Sequence, residues 1–361
     1  MTTMEYKEGM ARIKVIGVGG GGCNAVSRMF RNRMPGVEYV CMNTDAQSLS
    51  RSEIPMKIRI GEKLTRGLGV GGDPERGRLA AEETKDEIEQ LVQETDMIFI
   101  AAGMGGGTGT GGAPVVAQLA KEAGALTIAV VTKPFRFEGI PRRKAGEDGV
   151  RRLREKVDSL IAIPNDRLLA LSDEALTMDA AFKMADDVLR QGVQAIAELA
   201  INPGEINLDF ADIRSIMTGA GACWMAIGTG KGEGRAVEAA RAAINTPLLD
   251  VRIEGAKGVL LNIAGGPDLT INEVYEASEV VRASVDPNAY IFFGRVNDPK
   301  LENEVRVTLI ATGFPVKDTT PEEELEQLYK NDPISRASGQ VDLDIPTFLR
   351  RQSPNARRRL L

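Results

Sequence analysis

The chain has 361 residues, 43% of them hydrophobic and only 4% aromatic, and a formal charge of −6. That length exceeds one ordinary core and predicts two domains cored by Val, Ile, Leu, Ala and Met, while the acidic balance argues against a nucleic-acid partner. There is no histidine, which excludes Ser-His-Asp and Cys-His catalysis and imidazole-ligated zinc. The three cysteines (Cys23, Cys41, Cys223) are unevenly spread, without disulfide or zinc spacing, and fit a reducing, cytoplasmic setting. The N-terminal MTTMEYKEGM has no apolar signal-peptide core, and no run approaches eighteen apolar residues.

In chain order, a β-rich run from Arg12 to Val18 enters Gly17-Val-Gly-Gly-Gly-Gly22, and Cys23-Asn24 opens a helical pattern. Strand, glycine turn and helix make a phosphate site at a helix N-terminus. A strand from Glu38 to Met42 leads to Asn43-Thr-Asp-Ala-Gln47. Asp45 stands where a dinucleotide fold carries its ribose-binding acid, so a Rossmann oxidoreductase is the rival reading. Gly61 to Glu75 reads as a glycine-punctuated loop ending in an Asp73 cap with Pro74 behind it, then one helix to Glu94 with Leu79, Ile88, Leu91 and Val92 on its apolar face.

The organising stretch is Ala101 to Ala113, AAGMGGGTGTGGA, with seven glycines between the apolar strand Met97 to Ile100 and a helical pattern from Ala113 to Ala123. Glycines lacking Cβ let successive backbone N–H groups close around an anion. No Lys-Ser or Lys-Thr follows, so this is not a Walker loop, and phosphate charge must be met by amides, hydroxyls and a metal ion. A buried strand from Leu126 to Thr132 ends in a loop carrying Glu138 and Arg142. Another, from Ser159 to Pro164, ends at Asn165. By residue type alone Glu138 is equally a surface acid, and Asn165 a turn cap.

Thr177 to Ile201 is a proline-free helical pattern of roughly 35 Å at about 1.5 Å per residue, a plausible spine between two α/β segments. It carries Phe182 and Asp186. Asp209 and Asp212, three apart, share one side of a helix's first turn if Asp209 opens it; as plain chemistry they are an N-cap and a dipole-complementing acid. Beyond them strands and helices alternate as an α+β pattern: Gly221 to Gly228, Glu233 to Ile244, Gly258 to Ile263, Ile271 to Ser284, Ala289 to Arg295 and Val305 to Gly313. Trp224 reads as core. Lys317 to Gln340 is polar and acidic with too little apolar surface to fold alone, and Leu343, Ile345, Phe348 and Leu349 in the last stretch read as anchors of a partner-binding peptide.

With GGGTGTGG, NTDAQ and DIPTFLRR, the chain resembles the tubulin/FtsZ superfamily, and within it the bacterial FtsZ division proteins, from about residue 12 to 350. The resemblance implies an α/β fold. A Rossmann-like parallel-sheet GTP-binding domain (12–176) is joined by a central helix (177–202) to a smaller α+β domain (203–316). A flexible N-terminus (1–11), linker (317–340) and C-terminal peptide with a basic end (341–361) complete the chain. It implies a GTPase of head-to-tail protofilaments at the midcell division site, binding GTP/GDP with Mg2+. It places the nucleotide on Gly19, Gly20, Gly21, Gly22, Cys23, Asn24, Asn43, Gly105, Gly106, Gly107, Thr108 and Gly109, with Glu138 on the ribose and Arg142 near phosphate. Asn165 and Phe182 would join the nucleoside contacts, and Asp186 would bond the base. Asn207, Asp209 and Asp212 would act in catalysis from a neighbouring subunit; no residue is assigned to a metal. Residues 341–350 would dock membrane-tethering division proteins such as FtsA. The chain departs from the family at Gly72-Asp73 and Ile140-Pro141.

Overall fold

A computed structural model describes residues 11–169, 177–201, 209–246, 253, 255–298 and 300–314. Asn207, the 317–340 linker and the 341–361 peptide lie outside them.

In the first half, β1 (Ile13–Val18) leads into α1 (Gly19–Arg31), and β2 (Val37–Asn43) into α2 (Ala46–Arg51). Then come β3 (Met56–Arg59), α3 (Glu62–Thr65), α4 (Pro74–Glu83) and α5 (Lys85–Val92). β4 (Met97–Gly103) runs into α6 (Gly107–Glu122), β5 (Leu126–Lys133) into α7 (Ile140–Arg154), and β6 (Ser159–Pro164) into α8 (Asn165–Leu169), ahead of α9 (Met178–Ile201). The strands stack all-parallel in the order β3-β2-β1-β4-β5-β6. Both faces of such a sheet are covered, which is why its strands are unbroken apolar runs. Alternation sorts the side chains into two cores. Ile13, Val15, Phe99 and Val130 pack with α1 and α9, and Ile16, Val18, Ile100 and Val131 pack with the helices on the other face.

After α10 (Phe210–Met217), β7 (Gly221–Lys231) joins the two halves of one ten-stranded sheet. Its first three residues pair in parallel with Ser159 to Ile161 of β6. α11 (Arg235–Ile244), β8 (Gly258–Gly265), α12 (Ile271–Arg282), β9 (Tyr290–Asn297) and β10 (Glu304–Thr312) follow. From Trp224 onward β7 is antiparallel to β10, and the order ends β7-β10-β8-β9. Trp224 is only half-buried, edge-on to Phe314 at 6.2 Å.

Three segments differ from the sequence expectation. The helix expected from Pro74 to Glu94 is two, broken at Thr84, whose hydroxyl accepts from Gly61 N (2.9 Å); Leu79, expected inside, is exposed. The loop expected to continue past Glu138 becomes α7, because Pro141 fits a helix's first turn, where its missing N–H costs nothing. α6 begins six residues before Ala113, so most of the glycine signature is helix.

In the second half, the buried Arg235 guanidinium ties α11 to α12, donating to Glu273 (Nε, 2.7 Å) and Asp268 (Nη1, 2.5 Å). Arg235 holds the Glu273 carboxyl down at about 2, so its stabilisation is complete above about 4.5 and is lost as pH falls toward 2. Glu273→Gln should therefore destabilise the fold by about 1–2 kcal/mol at pH 7. Urea unfolding at pH 7 and pH 3 checks this, since the gap to wild type should narrow in acid.

Candidate functional site

β1 and β4 are hydrogen-bonded neighbours, Val18 beside Ala102, yet β1 is followed in sequence by β2 on its other side. This reversal in strand order is where an open α/β sheet leaves a crevice at its carboxyl edge. Both strands run straight into helices there, and the two N-termini meet. A Cβ on Gly19 (φ +74°) would sit 2.8 Å from Gly109 N, and one on Gly22 would sit 2.2 Å from Ala101 O. A Cβ on Gly20 or Gly106 would meet nothing within 4 Å. Of these four glycines, two let backbones touch and two leave the mouth of the crevice open. Unpaired N–H groups and two positive dipole ends converge on that mouth, a setting for phosphate.

The expected phosphate contacts do not all turn toward it. Gly105 N donates to the Thr110 hydroxyl (2.9 Å) and is already used. Cys23 is buried with its thiol toward Gly17 O and Met42 O, and the adjacent Cys41 thiol together with burial pushes it above the usual thiol range. Asn43 is buried and its Oδ1 accepts from Thr44 N (2.9 Å), so it shapes the turn. Asp45 caps α2, its Oδ1 accepting from both Gln47 N and Ser48 N. Asn24 is exposed at the start of α1.

Around the crevice, Glu138 and Arg142 are paired at 2.6 Å, and the second Glu138 oxygen accepts from Phe135 N. A Cβ on Gly105 (φ +98°) would lie 2.8 Å from Arg142 O, so α7 abuts the glycine signature. Asn165 is buried with an Oδ1 that meets no partner, the state expected of a group awaiting a ligand. Phe182 is 39% exposed and stands edge-on to Phe135 (5.4 Å) and Phe137 (6.3 Å). Asp186 on the same helix pairs with Arg28 at 3.2 Å, and burial pushes its carboxyl up to about 6 despite that cation. Arg28, which sequence reasoning missed, is marked only by its place one turn beyond Asn24.

The acids lie elsewhere. Asp209 caps α10: its Oδ1 accepts from Asp212 N (2.9 Å), and Asp212 returns a bond from Asp209 N (3.3 Å). Arg214 of α10 donates to Gly124 O ahead of β5, and Ser159, first residue of β6, donates to Met217 O. α10 is therefore anchored at the amino edge of the sheet, with the eight residues of β5, roughly 25 Å, between it and the glycine crevice.

The chain matches the Tubulin/FtsZ family GTPase domain over residues 12–173 and the FtsZ family C-terminal domain over 221–315. A point mutant of FtsZ from M. jannaschii is 46% identical, with TM-score 0.82 over 84% of this chain and 92% of that one. The chain belongs to the tubulin/FtsZ family. An empty FtsZ dimer from M. jannaschii gives 46% identity and TM-score 0.83 over 85% of this chain and 89% of that one. CetZ2 from Haloferax volcanii, a GTPγS-bound protofilament, is 22% identical at TM-score 0.72 over 91% of this chain and 99% of that one, a likeness of fold alone. As a tubulin/FtsZ GTPase the protein binds GTP and GDP and hydrolyses GTP. The M. jannaschii proteins align it with the cytoskeletal FtsZ branch. Among the described residues no helix is long and apolar enough to cross a membrane.

The division among the glycines is testable by stability. A Cβ at Gly111 would lie 1.8 Å from Pro74 O, where α4 and α6 touch, and one at Gly106 would meet nothing. Gly111→Ala should cost about 3 kcal/mol or more and Gly106→Ala less than about 1, read from thermal melts.

Proposed function

We propose that this GTPase assembles head to tail into protofilaments that form the ring at the bacterial division site, and that GTP is cleaved where one subunit's acids meet the next subunit's nucleotide. The observation that carries this reading is the separation of the two half-sites onto opposite edges of the sheet. A molecule whose glycine crevice and Asp209–Asp212 pair point away from each other completes its site only with a second copy. Repeating that heterologous contact gives an open filament.

In this assignment the open amides of Gly20, Gly21 and Gly106 to Gly109 hold the phosphates, with Thr108 adding its hydroxyl. Arg142 neutralises phosphate charge, Glu138 takes the ribose, and Asn165 satisfies its free Oδ1 on the nucleoside. Phe182 offers an exposed ring face to the base, and the ionised Asp186 accepts from the N1–H and exocyclic amine of guanine. Among the described residues no three acidic or thiol side chains gather around a metal position, so Mg2+ would draw its oxygen ligands chiefly from phosphate and water. It would supply charge neutralisation at the phosphates. The incoming Asp209 and Asp212, with Asn207, orient water for in-line attack and accept its proton. The domain limits 12–176, 177–202 and 203–316, and docking of division proteins such as FtsA on 341–350, belong to the same proposal; a division-defective strain carrying the chain without 341–350 tests the docking.

The shared site predicts a GTPase rate per molecule that climbs with protein concentration. Asp212→Ala should lower it about 100-fold or more with GDP affinity within about twofold, and Asp212→Asn, which keeps an oxygen for the α10 cap, should behave alike. Mixing Asp212→Ala with Gly106→Val, one variant sound in each half-site, should restore turnover that neither shows alone. A dilute monomer hydrolysing at full rate would sink the mechanism.

Asp186 supplies a second check. Its carboxyl lies near 6, so protons compete with guanine as pH falls. GDP affinity should drop about tenfold from pH 7 to pH 5 in wild type. For Asp186→Asn, titration calorimetry should show weaker binding that is flat over the same range.

A further inference from the structure

The Asn43–Gln47 turn holds a residue assigned no role above. Thr44 is fully buried and its hydroxyl lies 2.7 Å from the Thr108 hydroxyl, at the first turn of α6. Its N–H is occupied by Asn43 Oδ1, and its C=O accepts from Gly69 N (3.3 Å) and the Thr65 hydroxyl (3.3 Å). Ala46 N donates to Gly67 O (3.0 Å) just beyond it. The backbone on both sides is thus pinned, and among the described residues the hydroxyl bonds only to Thr108.

Two hydroxyls in contact share a single hydrogen, so the pair has two polarities. In one, Thr108 donates to Thr44 and has no hydroxyl hydrogen left for an anion. In the other, Thr44 donates to Thr108, freeing the Thr108 hydrogen for a phosphate oxygen, which can only accept. An anion selects the second polarity, and each bond in such a chain strengthens the next.

Strand order says which phosphate is concerned. Asn165 follows β6 and Thr44 follows β2, with the glycine turns of β1 and β4 between. A nucleotide with its base at Asn165 and Asp186 and its phosphates on the glycines points its far end toward Thr44 and Thr108. Resting on the placement given under Proposed function, we infer that Thr44 is a positioning residue, orienting the Thr108 hydroxyl onto the terminal phosphate of GTP and so setting the preference for GTP over GDP.

The test measures GDP and GTPγS affinities of the full chain. Thr44→Val keeps the shape and removes the hydroxyl; GTPγS affinity should fall about tenfold with GDP affinity within about twofold, and Thr44→Ser should restore the wild-type ratio. Should the valine variant not fold, Thr44→Ala against Thr44→Ser carries the comparison. An unchanged ratio, or an equal loss for both nucleotides, overturns the inference, because a structural defect would weaken both alike. Gly106→Val tests the underlying placement separately. Loss of both nucleotides is expected, and normal binding of both would mean the phosphates sit elsewhere and the parent reading falls.

Discussion

The structure depends on how closely its backbones approach at the carboxyl edge of β1 and β4. Gly19 lies against Gly109, Gly22 against Ala101, and Gly111 against Pro74, at separations where an added Cβ would stand 2.8 Å, 2.2 Å and 1.8 Å from backbone atoms. Any other residue would push α1, α4 and α6 apart. Because they close up, two helix N-termini focus on one point, and the chain needs no lysine to make an anion site. The same glycines that resemble a flexible loop in sequence are rigid here: most of the signature is a helix buried between strands and α4.

A parallel sheet has two unlike edges, and the chain uses both. The carboxyl edge gathers the helix N-termini, Asn165 and the aromatic group around Phe182. The amino edge holds α10, fixed by Arg214 to Gly124 and by Ser159 to Met217. Asp209 and Asp212 spend part of their bonding capacity on each other's backbone N–H groups, which orders them without neutralising them. A cap and a charged device are therefore compatible roles for the same pair.

What was legible in the sequence follows from what each signal depends on. Buried parallel strands announce themselves as unbroken apolar runs, so β1, β4, β5 and β6 fall within a few residues of expectation. Asp73-Pro74 states its cap outright. The start of α6 was hidden because glycine's poor helix propensity is overridden by packing that only the tertiary structure shows. Thr84, which splits α4 from α5, bonds to Gly61, a partner 23 residues away that no local window contains. At the site, residue types were readable and directions were not. Gly105, Cys23 and Asn43 sit at the crevice, but the Gly105 N–H and the Cys23 and Asn43 side chains turn toward protein, as only hydrogen-bond accounting reveals.

The proposed shared site requires that the crevice lack a base of its own. Donors are plentiful at the two N-termini, yet Glu138, on the turn ahead of α7, is held by Arg142 and by Phe135 N, and Asp45 by the first turn of α2. Glu138, with both oxygens engaged, is a poor acceptor for a water's proton. Under the proposed assembly, the base arrives with the neighbouring subunit and its first requirement is contact. Hydrolysis then reports on the age of a junction, and the polarity of the sheet is what makes one molecule's end the complement of another's beginning.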